Sequence, residues 1–146
     1  MESCVHRIEV HYNVDPRLKT RTSRIRFLGY PVDDLHLIDV YTIATSSRDF
    51  SVKDLSNIGA QLINPVVQKF LVDTPTLLPF DYAIEVGFLP GVTDNVGTTA
   101  RQTIEDFFSM KFGEGEAVYT SQLFLVGGPY HQINSALSQQ PWQTRL

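Results

Sequence analysis

Cysteine, charge and long apolar segments are all scarce in this chain of 146 residues. The one cysteine, Cys4, has no partner for an internal disulfide, which is typical of a reducing compartment, and we expect a cytoplasmic protein. No segment approaches the roughly 18 consecutive apolar residues of a membrane span, and the opening Met-Glu-Ser-Cys does not resemble a secretory leader. Charged residues make up only 19% and hydrophobic residues 42%, which predicts a folded chain rather than a disordered one.

Clusters of positive charge are scarce as well. The net charge is −4 and no run of Lys or Arg is longer than two, so the counterion release that drives nucleic-acid binding is not expected. The densest basic stretch consists of Arg17, Lys19, Arg21, Arg24 and Arg26. At helical spacing these side chains point in several directions, and we interpret them as a solvated helix face rather than a site for phosphate or an acidic partner.

The hydrophobic pattern predicts eight regular elements between residues 6 and 126. Ile8, Val10 and Tyr12 alternate with polar residues, as in a half-buried strand. Ser51 and Asp54 form a capping pair at the start of a helix that ends before Asn64-Pro65. Asp15 is the expected N-cap of another helix, with Pro16 at its first position. We predict strands over 6–14, 35–44, 66–73, 81–88 and 117–126, and helices over 16–28, 52–63 and 96–110, with 35–44 central in the sheet and 66–73 at its edge.

The order of elements repeats. Ile84-Glu85-Val86 opens the second half as Ile8-Glu9-Val10 opens the first, and 123–126 aligns with 40–43. Asp94 takes the place of Asp15 before the following helix. We therefore predict two halves, 1–74 and 75–146, that arose by duplication. A short helix is expected over 132–139, but it matches only the start of the second helix of the first half, so the fourth helix is divergent or truncated.

No catalytic or metal-binding set stands out. The four histidines lack the spacing of a metal site, and Asp33-Asp34 precede a strand, where carboxylates usually cap a turn. Cys4 has no base near it in the sequence. Gly87, Gly91 and Gly97 run from a strand into a helix, where backbone amides can hold an anion, but the spacing fits no phosphate motif, and a tight connection is the simpler interpretation. The apolar tip Phe88-Leu89-Pro90 suggests contact with a partner.

Several motifs make the chain similar to the PurS family, and above all to the N-terminal PurS-like region of large phosphoribosylformylglycinamidine synthases, the amidotransferases of purine synthesis. These motifs are Val14-Asp15-Pro16 leading to Phe27-Leu28-Gly29-Tyr30, Asn64-Pro65-Val66, and Leu89-Pro90-Gly91-Val92-Thr93-Asp94-Asn95. The resemblance covers about residues 6–128.

The resemblance implies an α+β fold of tandem ferredoxin-like (PurS-like) βαβα units. They form a pseudodimer with an antiparallel-rich sheet and helices on one face. It also implies a non-catalytic scaffold that bridges the glutaminase and the ATP-dependent synthetase parts of the enzyme, with no cofactor, no metal and no catalytic residue of its own. A homo-oligomer is left open, and neither nucleic acid nor membrane is expected as a partner. The residues expected to contact a partner are Phe88, Leu89, Pro90, Gly91, Thr93, Asp94 and Asn95.

Two other functions stay open on the sequence. Duplicated ferredoxin-like units often bind small molecules at the seam between halves, which would make this a ligand-sensing regulatory module. Alternatively, polar groups such as His11, His36 and Asp39 could build the site of a small enzyme across an oligomer interface.

Overall fold

The computed structural model describes residues 3–128, which form a mixed α+β fold with one five-stranded antiparallel sheet and three helices. The strands are β1 (Cys4–Tyr12), β2 (Asp34–Thr45), β3 (Gln68–Val72), β4 (Tyr82–Gly87) and β5 (Ala117–Gly127). The helices are α1 (Leu18–Phe27), α2 (Val52–Leu62) and α3 (Asn95–Phe108). All eight elements expected in this range are present, with ends that differ by at most two residues. The helix expected over 132–139 lies outside the described residues.

The strands lie in the order β3-β1-β2-β5-β4, and every neighbouring pair is antiparallel. β2 is central, as its two apolar faces predicted, and β3 forms one edge, as expected. β4 forms the other edge. The segment 73–81 therefore has to connect opposite edges of the sheet.

One face of the sheet carries the helices. Ile8 and Val10 point to this face and are fully buried with Leu55 and Ile58 of α2 and Ile104 of α3. A second cluster, under α1, consists of Val32, Leu35, Val126, Leu18, Ile25, Tyr30, Tyr82 and Phe124. The alternation read in β1 is thus confirmed, because its apolar side is the side covered by helices. None of the three helices in residues 3–128 is long and apolar enough to cross a membrane.

The opposite face of the sheet is covered in part by the connection from β3 to β4. Ile38, Val40 and Leu125 are buried on this face, and Leu78 of the connection packs against them. We call residues 73–81 the crossing segment, because it passes over this face between the two sheet edges.

The ends of the helices follow local side-chain chemistry. Ser51 and Asp54 form the predicted reciprocal capping box of α2. The expectation that Asp15 caps α1 is wrong: the N-cap is Arg17, without a side-chain bond. The Asp15 carboxylate instead accepts the backbone N–H of Arg17 at 2.9 Å and holds the turn before the helix. The Arg17 side chain then pairs with Asp15 and with Asp39, so Asp15 anchors α1 to the sheet through Arg17.

The buried carboxylate of Glu116 connects two loops at the end of the sheet where β2 ends and β5 begins. Glu116 accepts the backbone N–H groups of Ser46, Ser47 and Gly113 at 2.6 to 2.7 Å, and the hydroxyl of Ser47 at 2.7 Å. These hydrogen bonds stabilise the ionised form and lower the pKa of Glu116 to about 2. The β2–α2 loop and the α3–β5 loop are therefore held together by one ionised side chain.

Gly59 of α2 allows a close approach between this helix and β3. A Cβ atom added at Gly59 would lie 2.3 Å from the ring of Phe70. We expect Gly59→Ala to lower the free energy of unfolding by about 1–3 kcal/mol, because overpacking at this contact outweighs the better helix propensity of alanine. Urea denaturation measures the change. Ser56→Ala, on the exposed side of α2, is the control, and Gly59→Ala combined with Phe70→Val should recover part of the loss. Unchanged stability of Gly59→Ala would contradict this packing.

The depressed pKa of Glu116 predicts a dependence of stability on pH. Because the folded pKa of about 2 lies below the ordinary value of 4.5, the contribution of Glu116 is present above about pH 4.5 and is lost as the pH falls toward 2. Glu116→Gln should lower stability at pH 7 and flatten its fall between pH 5 and 3. Glu114→Gln, exposed in the same loop, should leave the profile as in the parent chain. Identical slopes for the two variants in thermal melts would refute the role of Glu116.

Candidate functional site

The predicted partner-contact residues lie in the loop between β4 and α3. Leu89 is 75% exposed and Phe88 is 55% exposed, and Pro90 and Thr93 are exposed as well. Gly91 has φ +83°, a turn conformation that favours glycine. The loop therefore presents an apolar tip to solvent at the edge of the sheet.

The last two predicted contact residues belong to the start of α3. Asp94 is the N-cap, and its carboxylate accepts the backbone N–H of Gly97 at 2.7 Å, the backbone N–H of Thr120 at 2.7 Å and the hydroxyl of Thr120 at 2.8 Å. Asn95 is the first residue of the helix. The Asp94 side chain thus fixes α3 to β5 and sets the direction in which the preceding loop leaves the sheet.

Gly97 allows α3 to pack closely against β5, and its backbone N–H is not free to bind an anion. A Cβ atom at this position would lie 2.6 Å from the carbonyl oxygen of Val118 in β5. The N–H of Gly97 is already donated to Asp94. The structure therefore matches the tight strand-to-helix connection, and the alternative of an anion held by this amide has no geometric support.

Apolar side chains next to the tip extend it into a larger surface. Val86 of β4, Val92 of the loop and Val96 of α3 are each about half exposed. We call Val86, Phe88, Leu89, Val92 and Val96 the β4 surface. β4 is also an edge strand, so one row of its backbone groups has no neighbouring strand within residues 3–128. Exposed apolar groups of this kind on neighbouring elements are typical of contact surfaces.

A network of charged and polar side chains lies on the face of the sheet away from the helices. The Arg7 guanidinium donates to Glu9 at 3.1 Å and to both carboxylate oxygens of Glu85 at 3.0 Å. Ser121 donates its hydroxyl to Glu85 at 2.6 Å. Burial opposes the charge on both partners, but the hydrogen bonds prevail: the pKa of Arg7 is raised and that of Glu85 is lowered.

This network shows that the sheet is strongly curved. Arg7 is on β1 and Glu85 is on β4, and β2 and β5 lie between them. In a flat sheet those strands would be about 14 Å apart. Arg7 aligns with Tyr119 of β5 through Thr42, whereas Glu85 aligns with Leu123, so the register separates the two residues by four more positions along the strands. Because Nη1 of Arg7 nevertheless contacts both carboxylate oxygens of Glu85, the polar face must be concave.

The crossing segment joins the network through Thr76. The backbone N–H of Thr76 donates to Glu9 at 3.0 Å, and its hydroxyl donates to the same carboxylate. The Thr76 hydroxyl has a single hydrogen, which it donates to Glu9. In the 3.0 Å contact with His11 the hydroxyl oxygen is therefore the acceptor, and the imidazole donates the proton on its Nε2. Burial lowers the pKa of His11, although the charge of Glu9 opposes this, and the ring is neutral near pH 7.

The three residues considered for an enzymatic site do not come together. His11 and His36 lie on the concave face, near enough to influence each other electrostatically. Asp39 is directly opposite Val10, on the face that carries the helices. There its carboxylate accepts hydrogen bonds from the Arg17 guanidinium at 3.0 Å and from the Gln122 side-chain amide at 3.2 Å. A single cleft of His11, His36 and Asp39 is therefore excluded within this chain, because odd and even positions of a strand point to opposite sides.

A shallow groove of about 350 Å³ separates the end of α2 from the start of α3. Tyr41 lines its floor, and burial raises the pKa of this phenol, with Asp39 adding to the effect. Gln61, Asn95 and Thr99 supply polar groups along its walls. Within residues 3–128, no group of three or more His, Cys, Asp or Glu side chains is placed to hold a metal ion.

Sequence reasoning missed the network around Arg7. Its signal was present, because Arg7, Glu9 and His11 occupy alternate positions on the polar side of β1 and a glutamate stands at the centre of both Ile-Glu-Val tripeptides. The missing information was the curvature that brings Glu9 and Glu85 to one guanidinium.

The Arg7–Glu85 contact should be measurable as a coupling free energy. In a cycle of Arg7→Gln, Glu85→Gln and the double variant, we expect about 1 kcal/mol of coupling in urea denaturation, a modest value because both side chains are partly exposed. Arg7→Gln combined with Glu114→Gln should be additive within about 0.5 kcal/mol, since these residues are not in contact. Zero coupling between Arg7 and Glu85 would contradict a stabilising contact between these two side chains.

No family model matches the chain, and neither the curated proteins nor the solved structures include a significant match. The resemblance to the PurS family therefore depends on the sequence motifs alone.

Proposed function

We propose that this chain is a non-catalytic assembly module built from two ferredoxin-like halves, 1–74 and 75–146. Following its resemblance to the PurS-like region of phosphoribosylformylglycinamidine synthase, it would bridge the glutaminase and the ATP-dependent synthetase parts of that enzyme. The observation that carries the proposal is the exposed apolar β4 surface.

The strand pairings support a relation between the halves. Ile8 is opposite Tyr41 in the β1–β2 pair, and Ile84 is opposite Phe124 in the β4–β5 pair. The sequence alignment equates these residues in the same way, since it sets 8–10 against 84–86 and 40–43 against 123–126. Two separate alignments thus agree with two separate pairing registers.

The helices agree with this relation as well. Leu35, Phe124 and Val126 belong to the cluster under α1. Their equivalents in the alignment, Val118, Tyr41 and Ile43, belong to the cluster that contains α3. A duplication would place the two helices over corresponding patches on either side of the β2–β5 pair.

One position of the described residues breaks the relation. Val10 is 2% exposed because α2 covers β1, whereas Val86, at the equivalent position of β4, is 48% exposed. Within residues 3–128 no helix takes the place of α2 over β4. The β4 surface is thus a half-covered core, and burial by a partner would remove its apolar side chains from water.

The polar groups support a structural role. Arg7 and Arg17 each bind two carboxylates, and Asp94, Glu105 and Glu116 accept several backbone or side-chain donors. Ionised groups satisfied in this way orient helices and loops. A rigid scaffold needs such fixed elements.

Loss of the apolar tip should weaken assembly. In the full chain, we expect Phe88→Ser combined with Leu89→Ser to raise the Kd for the glutaminase or synthetase part of phosphoribosylformylglycinamidine synthase from the same organism by at least about tenfold. Titration calorimetry measures this. Val14→Ser combined with Val66→Ser removes apolar groups elsewhere that are at least as exposed and should leave the Kd unchanged.

Four results would contradict the proposal. Binding of neither enzyme part, or equal weakening by the control variant, would remove the assembly role. Turnover of glutamine or ATP by the pure chain would make it an enzyme. Thermal stabilisation by a purine nucleotide without any protein partner would instead favour the ligand-sensing alternative, for which the groove beside Tyr41 is the candidate site.

A further inference from the structure

Helix α1 carries an unusual charge for a chain of this composition. Residues 17–26 contain five of the twelve Lys and Arg residues and no acidic residue. The rest of the chain has seven basic residues against sixteen acidic ones. This short segment is therefore positively charged, whereas the rest of the chain is acidic.

The helix is attached to the sheet along a narrow stripe. Leu18 and Ile25 face the cluster around Leu35, and no residue of α1 is fully buried. At 100° per residue, Thr20, Ser23 and Phe27 point directly away from this stripe, with Lys19 on one flank and Arg24 on the other. Phe27 is 89% exposed, the highest exposure of any phenylalanine among residues 3–128.

Most of these cations have no acidic partner. Arg17 pairs with Asp15 and Asp39, but within residues 3–128 no salt bridge involves Lys19, Arg21, Arg24 or Arg26. Arg21 lies over the ring of Phe124, and Arg26 donates to the carbonyl of Val32. Arg17 and Arg21, one helical turn apart, repel each other. The charge pattern costs helix stability and is offset by no acidic residue of the helix.

In place of the interpretation of these cations as a solvated helix face, we propose that the outward surface of α1, formed by Lys19, Arg24 and Phe27, binds an acidic segment of a partner protein that packs an apolar side chain against Phe27. Arginine and aromatic residues together are typical of protein contact sites, where an exposed ring serves as the anchor. This surface lies on a different element from the β4 surface, so the inference does not depend on the proposed function.

Other anionic partners fit the surface less well. Nucleic acid would meet the acidic surface of the rest of the chain beyond the helix, with sixteen acidic residues against seven basic ones. A membrane-surface helix buries a broad apolar side in lipid. Here Leu18 and Ile25 pack against the sheet, and only the apolar side chains of Phe27 and Leu28 are exposed to solvent.

Fluorescence anisotropy with the full chain tests the inference. The probe is a short glutamate-rich peptide that contains two leucines, and the comparisons are an all-glutamate peptide of equal length, an oligo-dT strand and phosphatidylserine vesicles. We expect Lys19→Glu combined with Arg24→Glu to weaken leucine-peptide binding at least about tenfold, since four units of charge change at the contact. Lys53→Glu combined with Lys69→Glu makes the same change at exposed sites elsewhere and should alter binding less than about twofold.

Phe27→Ser separates apolar contact from charge alone. It should weaken binding of the leucine peptide by about fivefold or more and leave the all-glutamate peptide unaffected. Equal loss in the Lys53/Lys69 control, or equal affinity of the two peptides for the parent chain, would overturn the inference. Tighter binding of oligo-dT or of vesicles than of the leucine peptide would also overturn it. Each variant is altered only at exposed positions, and its circular dichroism spectrum checks that it is folded.

Discussion

The pairing of β2 with β5 is the interaction on which the rest of the structure depends. It runs from Asp34 opposite Gly127 to Ala44 opposite Ala117, and it joins residues far apart in the chain into the centre of one sheet. The helix clusters lie on either half of this pair, under α1 and around α3. Without it, β1 and β4 would belong to separate hairpin-like units too small to bury their own apolar sides.

The pairing of β2 with β5 leaves two kinds of surface on the sheet. Where helices cover the sheet, the apolar residues of β1 are removed from water, but the matching residues of β4 are only half covered. On the other face the curvature of the sheet brings Glu85 to the Arg7 guanidinium, which also contacts Glu9. Thr76 of the crossing segment donates to Glu9 and so connects the segment to this network. The same geometry therefore produces a fixed polar interior and an exposed apolar edge.

Much of the fold could be predicted from local patterns, because they act over a few residues. Alternation in β1, the capping pair of Ser51 and Asp54, and Asn64-Pro65 after α2 each placed an element within two residues of its position. The role of Asp15 was mistaken, because its carboxylate accepts the backbone N–H of Arg17 in a turn and the helix begins only after Arg17. The apolar tip of the β4 surface was found in the same way, as a run of large residues between a strand and a helix.

The sequence by itself determined which residues form strands and helices, which side of each is apolar, and that the order of elements occurs twice. Only the tertiary structure decided that Asp39 lies on the other side of the sheet from His11, that one arginine binds both repeated glutamates, and that Val86 stays exposed where Val10 is buried. The physical reason is the distance along the chain over which each effect acts. Backbone propensity and periodicity depend on neighbours a few residues away, whereas strand order and sheet curvature depend on contacts between segments many residues apart.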